Sequence, residues 1–177
     1  MTTKSPSNLF ICPFTIVRDQ QEQFPYIFEG IPPRANQSGK KIVVRTETRH
    51  LQTADYSILG YEDRIVIERK SLVDLYGTLG KGHDRFEREF ERMTQIEHAS
   101  VVIEADWRDI IRPAKLMGLA WRSKVRPRTV WGTIAAWSLR FPTIHWWTVG
   151  SRRLGELWTF ELLEQFWRKE QHVDSMF

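Results

Sequence analysis

At 177 residues the chain suits a single domain with a real core and leaves little room for a helix-hairpin-helix tail or a helicase module. A formal charge of +4 and a pI near 9.4 suit a nucleic-acid partner without demanding one. The lone Cys12 excludes an intramolecular disulfide and any multi-cysteine zinc site, which leaves oxygen ligands and hard cations as the expected metal chemistry in a reducing, intracellular setting, whether cytoplasm, nucleoid or nucleus.

Residues 1–13 read as a loosely ordered lead-in. The apolar stretch from Asn8 to Val17 is interrupted by Pro13, is too short to span a bilayer and has no small-residue cleavage site after it, so no membrane contact is expected. Phe14 to Val17 predicts a β-branched strand that stops on Asp19. Gly30 to Lys41 has a loop composition, and Ile42 to Thr46 resumes strand character. Arg64 to Lys70 predicts a buried strand. The period then changes from two to about 3.6, because Leu72, Leu75, Tyr76 and Leu79 recur at helical spacing before a corner at Gly77, Gly80 and Gly82. Asp84 to His98 predicts a charged amphipathic helix with Phe86, Phe90, Met93 and Ile96 on one side, followed by a strand from Ser100 to Glu104. Thr129 is the expected cap of a helix through Leu139, with a strand over Thr143 to Val149 and a closing helix from Ser151 to about Lys169. There is no internal repeat or low-complexity tract, and alternating strands and helices predict an α/β sandwich around a mixed sheet.

The chemistry concentrates at Glu68-Arg69-Lys70. Side chains two apart on a strand share a face, so a carboxylate and an ammonium point the same way, with a second acid, Asp55, just upstream. Two acids bind a divalent cation, while a lysine holds a water or steadies the charge at a phosphate. An acid ahead of an E-x-K strand end is the pattern of the PD-(D/E)XK nuclease superfamily. The string Glu68-Arg69-Lys70 followed by Asp74 resembles the E-R-K-x-x-x-D signature of the XPF-type structure-specific endonucleases. Ala54-Asp55-Tyr56 resembles their G-D-Y, and Asp19 to Glu22 their D-x-R-E. Arg85 falls where they carry an arginine, and Val130-Trp131-Gly132 with the elements after it resembles the end of their nuclease domain. The likeness spans roughly residues 14–170. Gln21 for the arginine of D-x-R-E and Ala54 for the glycine of G-D-Y depart from the pattern, the latter mattering only if that backbone needs a positive φ.

The resemblance implies a restriction-endonuclease-like three-layer sandwich, a central mixed β-sheet flanked by helices, formed by one nuclease domain over residues 14–177. It implies a metal-dependent endonuclease acting on branched, flapped or junction DNA in repair or recombination. On that reading Asp55 and Glu68 ligate Mg²⁺ or Mn²⁺, Asp19 completes the acidic cluster directly or through a water, and Lys70 orients the attacking water. Arg69 contacts a phosphate or pairs with Asp74, and either is as readily structural as catalytic. Glu22 has an ordinary alternative as a solvated turn, and Arg85 sits well to grip a backbone phosphate.

From Arg108 to Arg128, Arg108, Arg112, Lys115, Arg122, Lys124, Arg126 and Arg128 face Asp109 alone, interleaved with Trp107 and Trp121, which predicts a DNA-facing loop. All eight tryptophans follow residue 106, and most are expected in the core. So aromatic a terminus, with the family's habit of pairing through its closing helices, implies a homodimer or a pseudo-dimer with an inactive partner. Two other functions stay open: a non-catalytic DNA-binding or scaffolding subunit of the same fold, and a resolvase of a phage or mobile element.

Overall fold

The computed structural model describes residues 8–79, 83–113 and 123–174. Six strands form one mixed sheet in the order β2-β1-β3-β4-β5-β6, with β1 at Leu9–Asp19, β2 at Lys41–Arg49, β3 at Tyr56–Ile58, β4 at Ile65–Lys70, β5 at His98–Ile103 and β6 at Ile144–Thr148. β3 runs antiparallel to both neighbours, and the remaining pairs are parallel. The carboxyl ends of β1 and β4 and the start of β3 therefore meet at one edge, the end of a sheet where ligands characteristically bind.

Strand alternation divides the core. Val66 joins Ala99, Val101 and Ile103 beneath helices α1 (Leu72–Thr78), α2 (His83–Met93), α3 (Trp107–Ile111) and α4 (Pro127–Arg140). Ile65 and Ile67 turn the other way, with Phe14, Ile16 and Val102, onto helix α5 (Arg152–Asp174). The result is the expected three-layer sandwich. On α2, Phe86, Phe90 and Met93 recur at three and four residues and are buried, and Val130, Ile134 and Trp137 do the same on α4.

Several boundaries differ from expectation. β1 begins at Leu9, so the lead-in assigned to residues 1–13 holds strand backbone from residue 9. Pro13, which has no N–H to donate, falls inside the register shift between Ile11 and Thr15 against β2. The three-residue strand β3 has no signal of its own length in the sequence. α2 ends at Met93, and His98 instead opens β5. α4 starts two residues before Thr129, with Pro127 in its first turn and Arg126 at the cap position. The basic segment is not all loop, because Asp106 caps α3 by accepting from the N–H groups of Arg108 and Asp109. Of the tryptophans only Trp137 is fully buried among the described residues, while Trp146, Trp147, Trp158 and Trp167 pack at the margins of the core and Trp107 and Trp131 are exposed.

The segment between β1 and β2 is bound to α5. Glu156 Oε1 accepts from the N–H of Ile27 at 2.9 Å and of Phe28 at 2.6 Å, and Arg152 donates to the carbonyls of Phe24 and Pro25 at 2.8 and 2.9 Å. That anchoring fixes the segment that follows Glu22, itself at the carboxyl end of β4 among the residues that line its cavity. No helix among the described residues is long and apolar enough to cross a membrane.

Candidate active site

At the carboxyl end of β4 lies a cavity of about 1110 Å³ walled by Asp19, Asp55, Glu68, Lys70, Asp74 and Arg85, among others. Glu68 and Lys70 share a face as their spacing requires, and Lys70 Nζ lies 2.5 Å from Glu68 Oε1 and 4.3 Å from the centre of the Phe86 ring. Burial opposes the Lys70 charge, but attraction to Glu68, with Asp55 and Asp74 adding to it, outweighs burial and holds the ammonium protonated above its ordinary value. Burial raises Glu68, against the pull of Lys70. Burial and then the Glu68 charge push Asp55 well above the usual carboxylate range, although Asp55 Oδ2 accepts the Arg69 N–H at 2.7 Å.

Two backbone bonds set Asp55 in this position: its N–H donates to the Ile67 carbonyl at 3.1 Å, and its carbonyl accepts from Asp19 N–H at 2.8 Å. Ala54 just before it has φ of 62°, so the glycine of the family pattern does correspond to a left-handed position. The Ala54 N–H donates to Glu89 Oε1 at 2.8 Å, and the Thr53 hydroxyl donates to the same oxygen. Glu89 escaped the sequence reading. Among Glu87, Glu89 and Glu91 on a charged helix, only its position one turn beyond Arg85 and opposite the turn at Ala54 sets it apart, and the fold alone creates that relation.

Asp19 reaches the same cavity but is committed to the backbone, its two oxygens accepting from the N–H groups of Gln21 and Leu51, each at 2.8 Å. Asp19, Asp55 and Glu68 thus line one cavity, as expected of an acidic cluster that Asp19 completes directly or through a water, although among the described residues no three His, Cys, Asp or Glu side chains gather around one point. What remains fits a hard cation held by two carboxylates. Glu68 is buried and Asp55 half-buried, the Glu68 charge helps to raise Asp55, and Mg²⁺ ordinarily takes one or two carboxylates and completes its shell with waters and substrate phosphate.

Arg69 turns to the opposite side of the sheet. Its guanidinium makes a two-pronged contact with Glu104 at 2.7 and 2.9 Å and meets Glu22 at 3.4 Å, over the Tyr26 ring. It does not pair with Asp74. That carboxylate instead accepts the Ser71 hydroxyl at 2.6 Å, while Ser71 Oγ accepts the Asp74 N–H at 3.1 Å, a cap for α1 at the cavity wall. Glu22 is correspondingly a half-buried partner of Arg69 that also lines the cavity, and no solvated turn. Glu104, the residue that holds Arg69, lies just past β5, and the sequence offered only its place at a strand end.

Of the basic residues expected to meet DNA, Arg85 is exposed on the cavity wall. Arg112 closes α3, Lys124 and Arg126 precede α4, and Arg128 lies in its first turn with the guanidinium 5.2 Å from the Trp131 ring centre. None of these four lines the cavity. Lys115 and Arg122 lie outside the described residues.

Comparison with known proteins agrees with this architecture. The family model of the ERCC4 domain matches residues 19–158. Among solved structures, XPF from Aeropyrum pernix matches with a TM-score of 0.58 at 19% identity, covering 92% of this chain and 69% of that one. XPF from the same organism in complex with DNA matches with a TM-score of 0.55 at 18% identity, covering 89% of this chain and 66% of that one. No curated protein matches the chain.

Proposed function

This chain belongs to the ERCC4 domain family, and on that premise we propose that it is a metal-dependent endonuclease that hydrolyses phosphodiester bonds at branched, flapped or junction DNA. The observation that carries the reading is Asp55, Glu68 and Lys70 on one cavity, with two acids raised by burial and proximity and one ammonium held protonated between wall and floor. Asp55 and Glu68 would hold Mg²⁺ or Mn²⁺, which when bound supplies a polarised phosphate oxygen and an acidified water. Lys70, charged at neutral pH, has no lone pair to take a proton. Its part is to donate a hydrogen bond to the incoming water and to offset the charge gathering on the phosphate. Arg85 at the rim is placed for a neighbouring backbone phosphate, a contact that selects by shape and charge more than by base identity. The solved DNA complex of the Aeropyrum pernix protein, which has the same fold, supports DNA as the partner.

A nicking assay on flapped, forked and four-way DNA with Mg²⁺ tests the proposal. Wild type is expected to cut, and Lys70→Ala and Asp55→Asn to lose roughly 10²–10³-fold, the scale of removing one transition-state charge contact. Intact substrates with wild type, or equal cutting by the variants, would overturn it. The commitment of both Asp19 oxygens to backbone N–H groups favours one other reading, a non-catalytic DNA-binding subunit. Salt-sensitive branch binding that ignores Mg²⁺ would mark that role. Pairing through the closing helix is supported by an apolar groove of about 420 Å³ along α5, lined by Ile31, Leu154, Leu157 and Trp158 with Leu154 exposed. Sedimentation of wild type as a dimer and of Leu154→Asp as a monomer is the expected result, and a monomeric wild type refutes it.

A further inference from the structure

We propose that Glu89 is a positioning residue, which locks the left-handed turn at Ala54 and thereby aims Asp55 into the cavity. An L-residue at φ of 62° is strained by contact of its Cβ with the backbone, so an alanine holds this conformation only where the surroundings over-determine it. Here they do. Glu89 Oε1 accepts the Ala54 N–H at 2.8 Å and the Thr53 hydroxyl as well, Thr53 and Ala54 are both buried, and the second Glu89 oxygen is held by Arg92. An internal parallel strengthens the assignment. The non-glycine residues at positive φ among those described are Phe28 and Ala54, and each donates its N–H to a glutamate carboxylate reaching down from a helix, Phe28 to Glu156 at 2.6 Å. The carboxylate does from outside what a glycine does by lacking a Cβ. That accounts for an alanine at this left-handed position just before Asp55.

The turn itself stands on the contacts above, and only the purpose of aiming Asp55 rests on the nuclease reading, so two measurements separate them. In the first, amide hydrogen exchange is followed on metal-free protein. Glu89→Ala should speed exchange at Ala54 and Asp55 tenfold or more, whereas Glu89→Gln, which keeps the Oε1 acceptor, should leave it within threefold of wild type. Wild-type exchange in Glu89→Ala overturns the proposal whatever the protein does to DNA. In the second, Mn²⁺ affinity is measured by calorimetry. Glu89→Ala should weaken it at least tenfold, and adding Ala54→Gly to Glu89→Ala should restore most of the loss, because glycine takes this backbone without a lock. No rescue, or equal loss in Glu89→Gln and Glu89→Ala, would mean that the charge of Glu89 matters and not its hold on the turn. Failure of wild type to bind Mn²⁺ would instead strike the nuclease reading and leave the exchange result to decide this one.

Discussion

Glu104→Gln is the perturbation that most directly tests the physics behind the candidate active site. The Arg69 and Glu104 side chains are only 7% and 6% exposed, and two short contacts at 2.7 and 2.9 Å join them. Removing one partner of a buried pair strands the other charge and costs about 3–5 kcal/mol. Glutamine returns one neutral hydrogen bond, about 1 kcal/mol, and Glu22 at 3.4 Å keeps part of the compensation. The expected loss is therefore about 2–3 kcal/mol, or about 4–12 °C in Tm for a chain of this size. Arg69→Met should cost more, because it takes the guanidinium from two carboxylates at once, leaving Glu22 without it and Glu104 with only the longer contact to Arg152 at 3.4 Å. Thermal and urea unfolding measure both, and since buried charges escape screening the loss should survive 0.5 M NaCl. A loss under about 0.5 kcal/mol, or one that salt abolishes, would refute the assignment of a dry, structural pair. Because the Arg69 N–H holds Asp55, cleavage should fall in both variants together with stability.

The raised pKa values of Asp55 and Glu68 carry a definite sign. Below about pH 4 carboxyls are protonated in folded and unfolded chains alike, and as pH rises the unfolded chain ionises first, so native stability drains away until the raised folded values are passed. Asp55→Asn should therefore raise the Tm of metal-free protein at pH 8 and do nothing near pH 4, and melts in EDTA showing equal gains at both would defeat the explanation. Gly155 on α5 has no room for a side chain, since a Cβ there would run into the Tyr26 hydroxyl, whose ring is buried and stacked on Tyr56 at 5.1 Å. Overpacking of this kind costs about 1–3 kcal/mol against a helix-propensity gain of about 1 kcal/mol for Gly→Ala. Gly155→Ala should thus lower stability in urea unfolding, but raise it in a Tyr26→Phe background, and the same sign in both would refute the clash.

How much could be foreseen divides along local and non-local lines. The period of two along β4 was enough to put Glu68 and Lys70 on one face, because a strand fixes side-chain direction residue by residue. Ser71 and Asp74, three apart at a helix start, cap α1 by chain geometry alone. The amphipathic faces of α2 and α4 and the alternation of strands and helices were likewise written into the order of residues, and with them the layered fold. The string Glu68 to Asp74 with Asp55 upstream pointed to the family for the same reason, being compact and local.

Tertiary structure decided the partners. Glu104 and not Asp74 receives Arg69, since the parallel pairing of β4 with β5 brings the two strand ends together across a loop and two helices. Asp19 lines the cavity with its two oxygens taken by the N–H groups of residues 21 and 51, partners that the fold brings to it. Glu89 meets the turn at Ala54 only because α2 folds back over the sheet edge. Periodicity tells each side chain which way to face; what it finds there depends on contacts between residues tens of positions apart, and no local pattern encodes those.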